Sequence, residues 1–284
     1  MKTDLGVTFQ AEAPAATEAE VRARHAANRV AWNEAADHYA RRLDAAIAGL
    51  RAGRSTLHPI ERANLGNLGP WCDVAVHLQC ASGEDTLSLW LEGAKRVVGI
   101  DISDVHIANA RHTGQALAAA ASWHRCDILD APGELDGGAD LVYTGRGALC
   151  WIHDLTGWAR VVRRLLRPGG VFHVLDDHPA SYLFDMEADR LVPSGLGYFG
   201  HAEWSVGWPT TYIDDLAAVP SGPARKHERS WTIAEVFGAL TGAGLRVTHL
   251  GEHPEPYWNN FPNLPADVRA TLPLTFSMMA RRPA

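Results

Sequence analysis

Residues 77–103 read HLQCASGEDTLSLWLEGAKRVVGIDIS, and this stretch decides the fold. Its first residues close an apolar run, Asp73 to Gln79, with the length of a buried strand. Small residues follow, and Gly83 can make the tight turn into a helix that continues from Leu87 to Gly93. Arg96 to Asp101 is apolar again and reads as a second strand. A strand, a helix and a strand in so short a span form a right-handed crossover between parallel neighbours.

The rhythm continues downstream. Asp104 to Leu117 reads as a helix, Ser122 to Cys126 as a third strand and Ala139 to Thr144 as a fourth. Leu155, Trp158, Val162, Leu165 and Leu166 mark a helix that Pro168-Gly169-Gly170 should end, before a fifth strand from Val171 to Asp176. Residues 178–228 then break the pattern with Pro, Gly and a run of aromatics: Tyr198, Phe199, Trp204, Trp208 and Tyr212. Thr232 with Glu235 starts a further helix, and Leu245–Leu250 and Leu274–Met279 read as the last two strands. Upstream, residues 17–50 form a helical stretch opened by a Thr17–Glu20 capping box, with Trp32, Ala36, Tyr39, Leu43 and Ile47 on one face. Residues 51–70 read as loop or short turns, and residues 1–16 as a loose arm.

The expected fold class is α/β: a Rossmann-like, seven-stranded, mostly parallel sheet with helices on both faces, an N-terminal helical segment and an inserted cap after the fifth strand. The expected division is an arm and helical lid over residues 1–70 and a main domain over 71–284, with 178–228 as its acceptor-binding insert.

Bulk composition narrows the function. The 284 residues carry 26 basic and 33 acidic side chains, a net charge of −7, which argues against nucleic acid as the partner. No apolar run is long enough for a membrane helix, and the N-terminus lacks the features of a signal peptide, so cytoplasmic residence is the default expectation. Cys72, Cys80, Cys126 and Cys150 show no metal-type spacing, and buried free thiols are expected.

Open parallel sheets bind ligands beyond the carboxyl ends of their strands. At the first such end, small residues let the backbone approach a ligand closely. At the second, Asp101 can take both hydroxyls of a ribose, although it could also only cap a helix. At the third, Asp127 can accept from an exocyclic adenine amine. Three successive strand ends thus offer what an adenosine ligand needs.

These residues carry a resemblance. The stretch quoted above resembles the first motif of class I S-adenosylmethionine-dependent methyltransferases, usually acid-x-Gly-x-Gly-x-Gly, in an actinobacterial-type subgroup. Gln79 and Ala81 stand where the first two glycines usually are, and only Gly83 remains. Asp101, Asp127-Ile128, ALCWIHDL (148–155) and LLRPGGVFHVLDDHP (165–179) extend the likeness. The resemblance implies that Gln79, Ala81 and Gly83 lie against the methionine part of S-adenosylmethionine. It further implies that Asp101 binds the ribose, Ile102 packs on the adenine, Asp127 takes the adenine amine and the Ile128 amide a ring nitrogen. Thr144 would sit near the sulfonium, and Trp32 and Tyr39 could close over the methionine tail or, as members of an apolar stripe, simply be core.

For a general base the candidates are His178, His153 and Asp177, with His178 and His153 preferred for their place beyond the fifth and fourth strands. His201, His227, Glu252 and His253 are further titratable groups in or after the insert. The aromatic insert, with Tyr257, Trp258 and Phe261, would wall a pocket for the acceptor. The expected activity is methyl transfer by SN2 displacement to O or N of a small, partly apolar or aromatic molecule in specialised metabolism, by a monomer or homodimer with no nucleic-acid or membrane partner. Two rivals stand beside it. One is a protein that binds S-adenosylmethionine for regulation or for chemistry other than methyl transfer. The other is a nicotinamide-dependent oxidoreductase, whose G-x-G-x-x-G fingerprint is missing here.

Overall fold

The computed structural model describes residues 8–199, 201–208 and 224–284. Along the chain run β1 (Thr8–Ala11), α1 (Glu18–Ala40), α2 (Leu43–Arg51), α3 (Pro59–Leu65), β2 (Val74–Leu78), α4 (Glu84–Leu91), β3 (Arg96–Asp101), α5 (Asp104–Ala116) and β4 (Ala121–Arg125). They continue as β5 (Ala139–Gly145), α6 (Leu155–Leu165), β6 (Leu166–Asp177), β7 (Ala202–Val206), β8 (Arg225–Arg229), α7 (Ile233–Gly242), β9 (Arg246–His253), α8 (Ala266–Arg269) and β10 (Thr275–Arg281).

Seven strands form one sheet in the order β4-β3-β2-β5-β6-β10-β9. All neighbours from β4 to β6 are parallel, and β10 runs antiparallel between β6 and β9. The expected mostly parallel α/β sheet is therefore present. Its central strands are apolar on both faces because helices cover both. Val76 and Leu78 of β2, Val98 and Ile100 of β3 and Val142 of β5 pack with Trp158, Val162 and Leu165 of α6 and Leu240 of α7. Their alternates Ala75, Val97, Leu141 and Tyr143 face the other way, onto Leu65, Leu68 and Leu89. This period of two is the pleat itself.

Five local expectations are corrected. The arm is not loose throughout, since Thr8–Ala11 pairs antiparallel with β7, and β7 with β8, to make a separate three-stranded sheet. The stretch 51–70 holds α3, whose capping box uses His58 and Glu61 with Pro59 at its start. The 17–50 stretch is two helices, α1 and α2, broken at Arg41–Arg42. α6 ends at Leu165, three residues before Pro168, but β6 begins at Leu166 and includes Pro168-Gly169-Gly170 instead of starting at Val171. The insert was expected without regular period, yet it contributes β7 and β8. Tyr212, one of its aromatics, lies outside the described residues. Among the described residues no helix is long and apolar enough to cross a membrane.

One side chain organises the turn between β2 and α4. Trp123 of β4 lies over three glycines. A Cβ on Gly83 would meet its ring at 2.6 Å, one on Gly99 at 2.4 Å and one on Gly114 at 3.2 Å. The close approach of β2, β3 and α5 therefore depends on residues without side chains. Gly99→Ala should destabilise the protein by about 1–3 kcal/mol through overpacking against Trp123 and the Cys80 sulfur. Urea denaturation measures this, and an unchanged midpoint would show that the ring yields freely.

Candidate active site

The turn after β2 sets the floor of the site. Gln79 and Ala81 adopt φ of 59° and 44°, in the left-handed region that glycine occupies at no steric cost, and Gly83 has φ 83°. The backbone thus has glycine-like conformation at all three positions although only Gly83 is glycine. Two contacts hold the turn: Cys80 N–H donates to Ile100 O (3.0 Å), and Ala81 N–H to Asp101 Oδ2 (2.8 Å). The other Asp101 oxygen accepts from Ser103 N–H (2.8 Å). Each carboxylate oxygen keeps a further lone pair for a ligand. Burial lifts the Asp101 carboxyl to about 6, against the backbone donors of Ser103, Ala81 and Ile102, which hold it down.

A cavity of about 440 Å³ opens at this carboxyl edge of the sheet. Trp32, Tyr39, Gln79, Ala81, Gly83, Asp101, Ile102, Asp127 and Ile128 all line it. Of the expected cofactor residues, Thr144 is not part of the lining. It is fully buried behind the wall, and its hydroxyl donates to Leu78 O (3.2 Å), tying β5 to β2. Gln79 donates from Nε2 to Ala148 O (2.6 Å), which joins the turn to the loop after β5.

Asp127 is engaged by the N-terminal helix. His25 Nδ1 lies 2.7 Å from its Oδ2, Arg22 Nη1 pairs with the same oxygen at 3.0 Å, and Leu129 N–H donates to Oδ1 (3.0 Å). Burial raises this carboxyl, but the His25, Leu129 and Arg22 contacts outweigh it and leave its pKa below the usual carboxylate value. Trp32 packs against His106, Trp151 and Trp208 at ring-centroid distances of 5.5, 5.1 and 4.7 Å, and Tyr39 packs against His106 at 5.2 Å. The two rings pack with these neighbours and also line the cavity.

The two preferred bases are corrected. His178 is 4% exposed and does not line the cavity. Its Nδ1 accepts from Ala180 N–H (3.1 Å) and its Nε2 donates to Glu252 Oε1 (2.8 Å), so neither nitrogen has a lone pair for an acceptor's proton. His153 is also outside the cavity lining. Its Nε2 donates to His227 O (3.2 Å), and burial pushes its pKa down to about 3, too low for useful proton abstraction near neutral pH.

The site also contains residues the sequence reading passed over. Arg146, at φ 56°, donates to Thr56 O (3.0 Å) and pairs with Asp85, and all three line the cavity. Its signal was a lone long side chain between Gly145 and Gly147 at a strand end. Thr56 and His25 came from stretches read as loop and surface helix. Asp176 is the anchor of the loop after β5. It accepts from the backbone N–H of Gly147 (2.7 Å), Ala148 (3.2 Å), Leu149 (2.9 Å) and Asp177 (2.8 Å), and from the Tyr257 hydroxyl (3.3 Å).

Comparison with known proteins agrees with this geometry. Residues 75–170 match the family model described as a methyltransferase domain. Among solved structures, an S-adenosylmethionine-dependent methyltransferase from Mesorhizobium loti is 23% identical, covering 79% of this chain and 96% of its own, with a TM-score of 0.55. One from Clostridium acetobutylicum is 13% identical, with 79% and 89% covered and a TM-score of 0.56. A geranyl diphosphate C-methyltransferase from Streptomyces coelicolor is 15% identical, with 78% and 73% covered and a TM-score of 0.51. No curated protein matches the sequence at a significant level. The matched domain makes this chain an enzyme of the methyltransferase class, and its fold is that of the S-adenosylmethionine-dependent members.

The left-handed turn gives a direct test. A side chain in that region costs about 1–2 kcal/mol, partly offset by the chain entropy glycine adds. Ala81→Gly should therefore raise stability by about 0.5–1 kcal/mol in urea denaturation. A loss of stability would mean the Ala81 methyl packs usefully in the turn.

Proposed function

We propose that the cavity holds S-adenosylmethionine and that the enzyme methylates an O or N atom of a small, partly apolar or aromatic molecule. The observation that carries this reading is that the three strand-end groups for an adenosine, from β2, β3 and β4, share one cavity with the residues expected around the methionine end. Its volume is within the range of small-ligand sites. When bound, the cofactor supplies an electrophilic methyl group on a sulfonium.

The chain's own residues do the rest. The free lone pairs of Asp101 accept from the ribose hydroxyls, and Ile102 covers one adenine face. Asp127 and the Ile128 amide meet the adenine edge. The turn at Gln79–Gly83 carries small side chains at Ala81 and Gly83, so backbone approaches the ligand without obstruction. Arg146 brings a guanidinium to a wall otherwise lined by Glu84, Asp85 and Asp101. Trp32 and Tyr39 from α1 exclude water above the site. Alignment of nucleophile, methyl carbon and sulfur is the main demand of such a transfer, and a rigid sheet edge supplies it.

The state of Asp101 sets a pH dependence. Its carboxyl titrates at about 6, above the ordinary carboxylate value, so it can accept from both hydroxyls only above that pH. Affinity for S-adenosylmethionine should fall as pH drops through about 6, approaching tenfold per unit, by linkage. Asp101→Asn should bind about ten- to a hundredfold more weakly at pH 8 and lose this decline. Calorimetric titration at several pH values reads both effects, and an unchanged dissociation constant in the variant rules out the ribose role.

A further inference from the structure

Helix α1 brings one histidine to the end of the cavity where Asp127 lies. His25 is buried and lines the cavity beside Asp127, Ile128 and Ile152. Both of its ring nitrogens are engaged. Nε2 accepts the backbone N–H of His153 (3.2 Å), so its lone pair is in use there, and the proton of the neutral imidazole sits on Nδ1. From Nδ1 it is donated to Asp127 Oδ2 (2.7 Å). A main-chain group of the loop after β5 thus sets the tautomer, and the donor so created is aimed at the acid after β4.

The acceptor positions of Asp127 can then be counted. Oδ2 takes His25 and Arg22 (3.0 Å), and Oδ1 takes the Leu129 N–H (3.0 Å). A carboxylate offers about four such positions, so one remains, on Oδ1. An oxygen in that state accepts from a ligand N–H and repels a ligand carbonyl oxygen. The two donors on Oδ2 are not equivalent. Arg22 is divided between two acids, since it also meets both oxygens of Asp130 (2.9 and 2.8 Å). His25 gives its single donor to Asp127 alone.

The same ring fixes a second wall. The His153 amide follows directly on Ile152, which lines the cavity. His153 is in turn tied through Nε2 to His227 O (3.2 Å), and Asn28, one turn beyond His25 on α1, holds both the N–H and the carbonyl of His227. One imidazole therefore spans the acid after β4 and the loop after β5, the two sides between which a purine edge would lie. An apolar side chain in its place leaves Oδ2 to the divided Arg22 and leaves the buried His153 N–H without its acceptor.

We infer that His25 is a positioning residue for base selection. Acting through Asp127, it presents the one open lone pair to the exocyclic amine of adenine and turns away a purine with a carbonyl oxygen at that carbon. The inference rests on the cofactor reading above and adds to it the group that makes the site selective.

Calorimetric titration with S-adenosylhomocysteine and with S-inosylhomocysteine, which has the carbonyl oxygen in place of the amine, tests this. The proteins are wild type, His25→Leu, Asp127→Asn and the double variant. Wild type should prefer the adenosine ligand by about a hundredfold or more. His25→Leu should weaken the adenosine ligand by about tenfold or more and the inosine ligand by under about threefold. In the Asp127→Asn background the same substitution should change the preference by under about twofold, because the group it acts through is already altered. The preference is a ratio within one protein, so a loss of folded fraction does not alter it. Nitrogen NMR of the wild type needs no variant: the His25 ring, identified by hydrogen-bond coupling to the His153 amide, should be protonated on Nδ1 and bare on Nε2. Equal weakening of both ligands, an unchanged preference in His25→Leu, an equally large change in the Asp127→Asn background, or a ring protonated on Nε2 each overturns the inference. A wild type that binds both ligands alike also overturns it and leaves the cofactor reading standing, whereas a wild type that binds neither sinks that reading.

Discussion

The site depends on the Asp101 carboxylate. Its two oxygens take the Ala81 N–H from the turn after β2 and the Ser103 N–H from the turn after β3. One buried carboxyl thereby fixes two loops from adjacent strands and also lines the cavity between them. An ionised carboxyl is costly to bury, and here three backbone dipoles offset only part of that cost. The same incompleteness that raises its pKa is what leaves it able to take a ligand's hydroxyls. Pre-organisation and binding are two aspects of a single group.

The same economy recurs at the end of β6. Asp176 gathers the N–H groups of Gly147, Ala148 and Leu149, and so shapes the loop after β5 that walls the cavity. The N-terminal helix is then laid over the ends of β3 and β4 by polar contacts. Arg22 and His25 reach Asp127, Arg29 and Asn33 reach Asp104, and Asn33 also accepts from the Ser103 hydroxyl (2.7 Å). Its far side is held to β8, where Asn28 exchanges two hydrogen bonds with the His227 backbone (2.8 and 2.6 Å). Helix α1 is thus held between the main sheet and the small one by ion pairs and hydrogen bonds as well as by the apolar cluster around Trp32 and Trp208.

Much of this was legible in the amino-acid order, for identifiable reasons. Strands β2, β3, β5 and β6 announce themselves because burial on both faces demands continuous apolar runs, and the positions that meet a ligand follow from where those runs stop. The small sheet was not legible. β1 and β7 lie far apart in sequence, each strand of the sheet is short, and Glu203 of β7 and Lys226 of β8 give a polar look that their buried positions contradict. α3 hid behind Pro59, which starts a helix as readily as it ends one. Pro168-Gly169-Gly170 falls where the register of β6 on β5 shifts, between the Ala139–Leu166 and Leu141–Val171 pairs. The bases were misjudged because a histidine's capacity depends on what its two nitrogens touch. For His178 those partners are Ala180 and Glu252, and no spacing in the sequence ties Glu252 to it.

The pairing of Thr8–Ala11 with β7 has a practical side. The first sixteen residues have the composition of a tail that an expression design would trim. Doing so would uncover the whole hydrogen-bonding edge of β7 in a sheet with only one other strand. Unpaired edges of that kind invite association with other chains. The edge of β7 is thus guarded by a segment that looks dispensable.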